Sequence, residues 1–378
     1  MERRFWRDFD VVLLLSVLAL IAFSLPIIGS SSSRLVPGNP LYYVKRELIW
    51  AALGLGGLFL MRGINYEGWR RLAWPIYGFM LALLAAVLVH GHQALGAQRW
   101  IQLGPFPLQP SEIAKLLYVL FMADYLTGRM EHGGGLSHLR DLAAPAFWTL
   151  IPMLLVLKQP DLGTALVFAA MFFGMLYVAG SPGRLLLLTF GGVLAVLVVL
   201  IYAHLRWHLP LPLKNYQLTR LLVFLNPNLD PLGSGYNIIQ SKVALGSGGL
   251  WGTGLSGAWQ NHLGFLPEPY TDFIFAVIGE ETGFIGAGAV LLVYLVLLWR
   301  SVNILGRAKD RYGAVLAAGI VAMFAFHLLV NAGMAMGIMP VTGVPLPFIS
   351  YGGSSLLTNG LGVGLLLAVY NYRQKIRF

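Results

Sequence analysis

Ionisable side chains are scarce inside the apolar runs of this 378-residue chain. Each one is a candidate for chemistry, because a charge within an apolar span costs several kcal/mol unless it faces a cavity or a partner. Gln109-Pro110-Ser111-Glu112 opens one run, and Lys115 follows. Pro110 and Ser111 suit the start of a helix, and Glu112 and Lys115 share a helical face on which they can pair. A structural ion pair and a substrate contact satisfy that spacing equally. Lys158-Gln159-Pro160-Asp161-Leu162-Gly163-Thr164 joins two further runs through a turn set by Pro160 and Gly163. Asp161 is spaced to cap the following helix, and with Lys158 beside it the turn can equally line a polar cavity. Arg99 and Trp100, within GAQRWIQLG, suit either a phosphate or a water–lipid interface.

The most informative stretch is FLPEPYTDFIF at 265–275, where a long polar segment gives way to an apolar run. Thr271 and Asp272 fit the N-cap and first turn of a helix, where the dipole favours a carboxylate. The same carboxylate is well placed as a general base, since partial burial raises its pKa towards working pH. Glu280 and Glu281 are adjacent, so at least one faces protein, and Glu280 lies two turns from Asp272 on nearly the same face. The uncharged stretch MPVTGVPLPFISYGGSS at 339–355, with Ser354 near its end, reads as a re-entrant lining. Such backbone is tolerated at membrane depth only against protein or a watery cavity.

Membrane helices must position these groups. The chain is 57% hydrophobic and 11% charged, far from the composition of a soluble domain. A hydrocarbon core of about 30 Å needs roughly 20 apolar residues per helix. Ten segments qualify, near 10–29, 42–61, 72–90, 109–127, 142–157, 163–180, 184–206, 272–299, 312–337 and 350–371. The expected fold is therefore an all-α integral membrane protein of about ten transmembrane helices, a single polytopic domain over 1–378. The first run follows a basic flank like that of a signal peptide, but it is too long and lacks a small-residue cleavage site, so it reads as the first span. There is no Cys, which excludes disulfides and thiolate metal sites. No internal repeat is evident, which disfavours a transporter built from two matching halves.

The net charge of +10 would suggest nucleic acid if the basic residues formed one face, but they fall in short groups between apolar runs, so no nucleic-acid partner is expected. Sixteen Lys and Arg fall on the side of the termini and nine on the other, with Lys115 inside a span. The positive-inside rule then makes both termini cytoplasmic and puts 207–271, between the seventh and eighth helices, outside as a large extracytoplasmic loop. Gly recurs between 233 and 265 at a cost of roughly 1 kcal/mol each in a helix, so an irregular, water-facing surface is expected there. Ala332, Gly333 and Gly337 on the ninth span suggest a contact for a partner helix.

GAQRWI, QPSEIAK, KQPDLGT, LPEPYTDFIFAVIGEE and VPLPFISYGGSS, in this order, resemble the shape, elongation, division and sporulation family, specifically its RodA-type elongation members. The chain departs from that pattern in having Pro269-Tyr270 before Thr271, where a basic residue or His is common. The resemblance implies a ten-span peptidoglycan glycosyltransferase of the bacterial cytoplasmic (inner) membrane, using lipid II as donor and acceptor. It would work beside a class B penicillin-binding protein and other membrane proteins of the elongation complex. The family's catalytic aspartate maps to Asp272, the base for an inverting displacement of undecaprenyl pyrophosphate. Arg99, Lys158, Arg220 and Lys242 become candidate stabilisers of the leaving pyrophosphate, and Gln109, Glu112, Lys115, Asp161 and Ser354 candidate substrate contacts. No cofactor is required. A divalent cation (Mg or Mn) near Asp161 or Glu112 would be compatible, although no ligand set is legible. The alternative activity is a lipid II flippase, and a third reading is a scaffold for the partner enzyme.

Overall fold

The structure, a computed structural model, describes residues 9–373 apart from 37, 95–96, 104–105, 208–214, 232, 256 and 259–263. The basic residues counted at 1–8 and 374–378, and Lys214, lie outside the described residues. The chain runs through α1 (Val11–Ser32), α2 (Tyr42–Gly63), a 3-10 segment (Tyr66–Leu72) and α3 (Ala73–His90). Strands β1 (His92–Ala94), β2 (Ala97–Leu103) and β3 (Phe106–Leu108) follow, then α4 (Pro110–Glu131), α5 (Leu139–Lys158), α6 (Leu162–Val178) and α7 (Gly183–Trp207). The remaining helices are α8 (Asn215–Leu225), α9 (Ser234–Ser247), α10 (Ile274–Gly306), α11 (Arg311–Ala335) and α12 (Gly353–Asn371).

Ten of these helices, α1 to α7 and α10 to α12, overlie the ten expected spans, and the fold is that of an all-α membrane protein. Among the described residues seven are long and apolar enough to cross a membrane by length and composition. The other three are α6, which is only 17 residues long, and α2 and α4, which carry Glu47, Glu112 and Lys115 in their interiors. α4 and α6 lie inside the bundle, whereas α2 buries one face, Glu47 included, against it. α11 packs against α4, α6 and α10, and α12 packs against α2. Small residues allow the last pair to touch: a Cβ on Gly360 would lie 2.3 Å from the Gly54 carbonyl oxygen. By contrast, most apolar side chains of α7 are exposed, as suits a helix at the lipid boundary.

Carboxylates fix three helix starts. Asp10 accepts the Leu13 amide at 3.1 Å and is gripped by the Arg300 guanidinium at 2.6 Å, tying the start of α1 to the far end of α10. Asp310 accepts the Gly313 amide at 2.7 Å and the Tyr66 hydroxyl at 2.6 Å. Asp161 caps α6 through the Thr164 amide at 3.1 Å.

Three expectations are corrected, and one element is additional to them. The connection at 92–108 is an antiparallel sheet in the order β1-β2-β3, with Ile101 opposite Leu108 and Leu103 opposite Phe106. The stretch 233–265 is not irregular throughout, since it contains α9, and α8 precedes it within 207–271. The glycines of α9 sit at its ends, at Gly235 and Gly246, so their cost falls where a helix frays anyway and its YNIIQSKVAL interior is free of them. The small residues on the ninth span do not form an open docking face. Ala332 and Gly333 are buried, Gly333 lies against Met339, and Gly337 lies under the Lys242 side chain. Finally, α10 starts at Ile274, because the Thr271 and Phe273 amides both bond the Glu268 carbonyl and close a turn that holds Asp272 outside the helix.

At 33 residues, α10 would be about 50 Å long if continuous, well beyond the hydrocarbon thickness. It is broken at Gly283, with φ 68° and ψ −167°. The open ends are mended by residues 249–254. The Glu280 carbonyl accepts the Thr253 amide at 2.9 Å and the Glu281 carbonyl accepts the Gly254 amide at 3.0 Å. Beyond the break, the Phe284 and Ile285 amides donate to the carbonyls of Gly249 (2.9 Å) and Leu250 (3.2 Å). Every backbone group freed by the break named here therefore has a partner, as membrane depth requires. The approach demands glycine at Gly252, where a Cβ would lie 2.2 Å from the Glu281 oxygen.

Candidate active site

Asp272 occupies the turn between the polar segment and α10, and the turn is anchored through its own backbone. Three consecutive carbonyls are each taken by a different group. Tyr270 accepts the Tyr351 amide at 2.9 Å, Thr271 the Ser350 hydroxyl at 2.7 Å, and Asp272 the Asn331 side-chain amide at 3.0 Å. The Ser350 oxygen in turn accepts the Leu346 amide at 2.8 Å, so the Pro-rich 339–352 loop is folded onto the turn. Tyr43, Tyr270 and Tyr351 seal the contact, with ring centroids 4.9 to 5.8 Å apart. This is the protein-backed lining expected from the composition of that loop.

The Asp272 carboxyl is partly buried, and Gly343 forms its wall: a Cβ there would sit 3.2 Å from Oδ2. Burial, with the nearby Glu268 charge, pushes the carboxyl up to about 6, while Arg220 and Arg99 pull it down and Asp161 pushes it up. A carboxyl so tuned is ionised at neutral pH yet able to hold a proton, which suits a general base. Two guanidinium groups and three carboxylates thus act on one space.

Arg99 is set by β2 against the α5–α6 turn, with Nε donating to the Gln159 carbonyl at 3.2 Å, the guanidinium also bonding the Pro160 carbonyl, and the Asp161 carboxylate at 3.9 Å. Asp161 does cap α6, and it also accepts the Thr164 hydroxyl at 2.9 Å and the Gln109 side-chain amide at 3.3 Å. The Gln109 backbone amide donates to Ser354 Oγ at 2.8 Å. Gly163, two residues after Asp161, packs against Thr342 and Val344, which places this turn beside the wall behind Asp272. Arg99, Gln109, Asp161 and Ser354 therefore form one polar layer with Asp272.

Below it, Glu112 and Lys115 are fully buried and paired at 2.9 Å. Lys115 also lies 2.9 Å from His327 Nε2, while His327 Nδ1 bonds the Met323 carbonyl at 2.7 Å. A carbonyl only accepts, so Nδ1 carries the proton and Nε2 accepts from Lys115. Glu112 Oε2 has no hydrogen-bond partner among the described residues.

The structure does not bring Lys158 or Lys242 to Asp272. Lys158 is exposed at the end of α5, Lys242 is exposed on α9 over Gly337, and neither is among the principal charges that act on the Asp272 carboxyl. Nor do Asp161 and Glu112 suit a divalent cation, because donors occupy both Asp161 oxygens and Lys115 holds Glu112. Among the described residues no three His, Asp or Glu side chains converge as a ligand set. A cavity of about 690 Å³, lined by Asn65, Glu67, Gly68, Arg70, Arg71 and Asp310, opens at the other end of the bundle and has no part in this site.

The sequence reading missed His327 and Asn331. Both interrupt the apolar run of the ninth span and stand four residues apart, hence on one helical face, the same signal that singled out Glu112 and Lys115. Glu47, buried within α2, was missed for the same reason.

The pattern of the cell cycle protein family that takes in FtsW, RodA and SpoVE matches residues 8–375. The chain belongs to that family. One relative, named as a probable peptidoglycan glycosyltransferase FtsW in Trichlorobacter lovleyi, is 40% identical over 96% of this chain and 93% of its own. The peptidoglycan glycosyltransferase RodA of Treponema pallidum is 34% identical over 97% of this chain and 98% of its own. A solved chain from a peptidoglycan synthase complex, described for its coordination of polymerization and crosslinking, is 36% identical. It superposes with a TM-score of 0.79 over 97% of this family member and 99% of the solved chain. The RodA-type family likeness carried by the five motifs is thus matched along nearly the whole length.

Proposed function

We propose that this family member is a peptidoglycan glycosyltransferase that polymerises lipid II, with Asp272 as general base. The observation that carries the reading is the Asp272 carboxyl, pushed up to about 6 by burial while Arg99 and Arg220 act on it electrostatically. In the proposed reaction the sugar 4-hydroxyl of the acceptor attacks the anomeric carbon of the donor, and its proton passes to the Asp272 carboxylate. The new carbon–oxygen bond forms as the bond to pyrophosphate breaks, and undecaprenyl pyrophosphate leaves with the bonding pair. A single displacement of this kind inverts the anomeric centre. Arg99 and Arg220 carry the positive charge that opposes the charge growing on the pyrophosphate.

The excess of Lys and Arg on the side of the termini supports an orientation with both ends cytoplasmic and Asp272 on the outer face of the bacterial cytoplasmic membrane. The likeness to a chain of a peptidoglycan synthase complex supports a class B penicillin-binding protein as partner, joined by other elongation-complex proteins. The whole of 1–378 then acts as one membrane domain, with 207–271 as its outer roof.

The test is polymerisation of fluorescent lipid II by the purified protein with its partner. Asp272→Asn is expected to lower the rate by about 100-fold or more, the contribution of a positioned base. Glycan chains made by Asp272→Asn at the wild-type rate would sink the mechanism and favour a flippase, which needs no base.

A further inference from the structure

Asn331 lies on α11, fully buried, and its single side-chain nitrogen joins two segments of the site. Nδ2 donates to the Asp272 carbonyl at 3.0 Å and to the Val344 carbonyl at 2.8 Å. The first carbonyl belongs to the peptide that bears the base. The second belongs to the residue after Gly343, whose backbone walls the base's carboxylate. One atom thereby sets the spacing between the root of the carboxylate and the surface it rests on. Few side chains can do this from such a position: an amide nitrogen offers two donors, a hydroxyl one, and an ionised carboxylate none. No net charge is introduced, so the groups that tune the base remain Glu268 in its own turn, Arg220 on α8, Arg99 on β2 and Asp161 at the start of α6.

We propose that Asn331 is a positioning residue for the glycosyl transfer, bracing the Asp272 peptide against the 343–344 wall so that the carboxylate stays aimed and shielded from water. The proposal rests on the reading of Asp272 as general base. Its signature follows from the physics of the site. Burial is the foremost reason that the Asp272 carboxyl is raised to about 6, so a turn released from the wall admits water and the carboxyl falls back towards its ordinary value. A loosened base also misses its near-attack geometry while substrate binding elsewhere is retained.

The experiment measures steady-state polymerisation of fluorescent lipid II by the full-length protein with its partner in vesicles, as a function of pH on both sides of about 6. Asn331→Ala and Asn331→Leu, the second close in size and likewise uncharged, are compared with Asp272→Asn. The expected result is a kcat about 10- to 100-fold lower with KM changed less than about threefold, and an acid limb displaced to lower pH. If both Asn331 variants keep the wild-type kcat and acid limb while Asp272→Asn is inactive, the positioning role is overturned and the base survives. A lowered kcat with the acid limb unmoved also overturns it, as does failure of both variants to purify as monodisperse protein. Activity in Asp272→Asn overturns the base itself, and this proposal with it.

Discussion

The Lys115 ammonium stands 2.9 Å from His327 Nε2 on α11 and 2.9 Å from Glu112 on its own helix, so one buried cation is shared between two neighbours on different helices. Removing one member of such a group costs more than removing the charged pair together, since the survivor is left uncompensated. Lys115→Met is expected to lower stability by about 3–5 kcal/mol, and Glu112→Gln with Lys115→Met by much less. Unfolding of the four proteins of this cycle in detergent measures the difference. Equal losses in the single and double variants would mean that the pair is not coupled.

The pH dependence has a definite sign. Asp272 acts in its ionised form, so activity rises with pH through about 6. Arg99 and Arg220 hold that carboxyl down, so Arg99→Gln moves the acid limb to higher pH, opposite to the shift expected for Asn331. Lys158→Ala and Lys242→Ala leave the limb in place. A pH–rate profile of the three variants settles the pattern, and an upward shift in Lys242→Ala would contradict the site described here.

Stability runs the other way. The folded-state carboxyl of Asp272 lies above its ordinary value of 3.8, so the folded chain holds the proton more tightly and stability falls as pH rises from 3.8 to about 6. Above that window the cost is constant. Asp272→Asn removes it, and at neutral pH the inactive variant is expected to be more stable than the wild type by up to about 3 kcal/mol, the free-energy equivalent of the rise from 3.8 to about 6. Thermal unfolding at two pH values, one on each side of the window, reads this directly: the gain should shrink at the acid side.

Gly343 combines a positive φ of 73° with a Cβ position 3.2 Å from the Asp272 carboxylate. Gly343→Ala therefore strains the backbone by about 1–2 kcal/mol and crowds the base from behind. Polymerisation is expected to fall at least about tenfold, because a displacement of the base by a fraction of an ångström is costly. An active Gly343→Ala with an unshifted acid limb would show that the wall is not needed.

The bundle was legible in the sequence because an apolar run of sufficient length in lipid has few conformations other than a helix. The capping role of Asp161 was legible from its neighbours, since cap residues act over three or four positions, whereas the turn that keeps Asp272 out of α10 was not. Nor was the sheet at 92–108, because its strands are short and their pairing is a contact between segments that no local period reveals. Asn331 and His327 carried a readable signal, two polar residues one turn apart in an apolar run. What they hold lies 59 and 212 positions away, at Asp272 and Lys115, and is fixed only by packing. Lys158 and Lys242 illustrate the converse: basic residues near the right loops, directed elsewhere by the helices that bear them.

The segment 249–254 that mends α10 also precedes it in synthesis. It is synthesised about 30 positions ahead of the carbonyls and amides it satisfies, so it is available before the helix that needs it emerges. The segment that follows Asp272 cannot enter as a finished rod and break later without exposing four backbone groups to lipid. It is received by a segment that the chain has already produced.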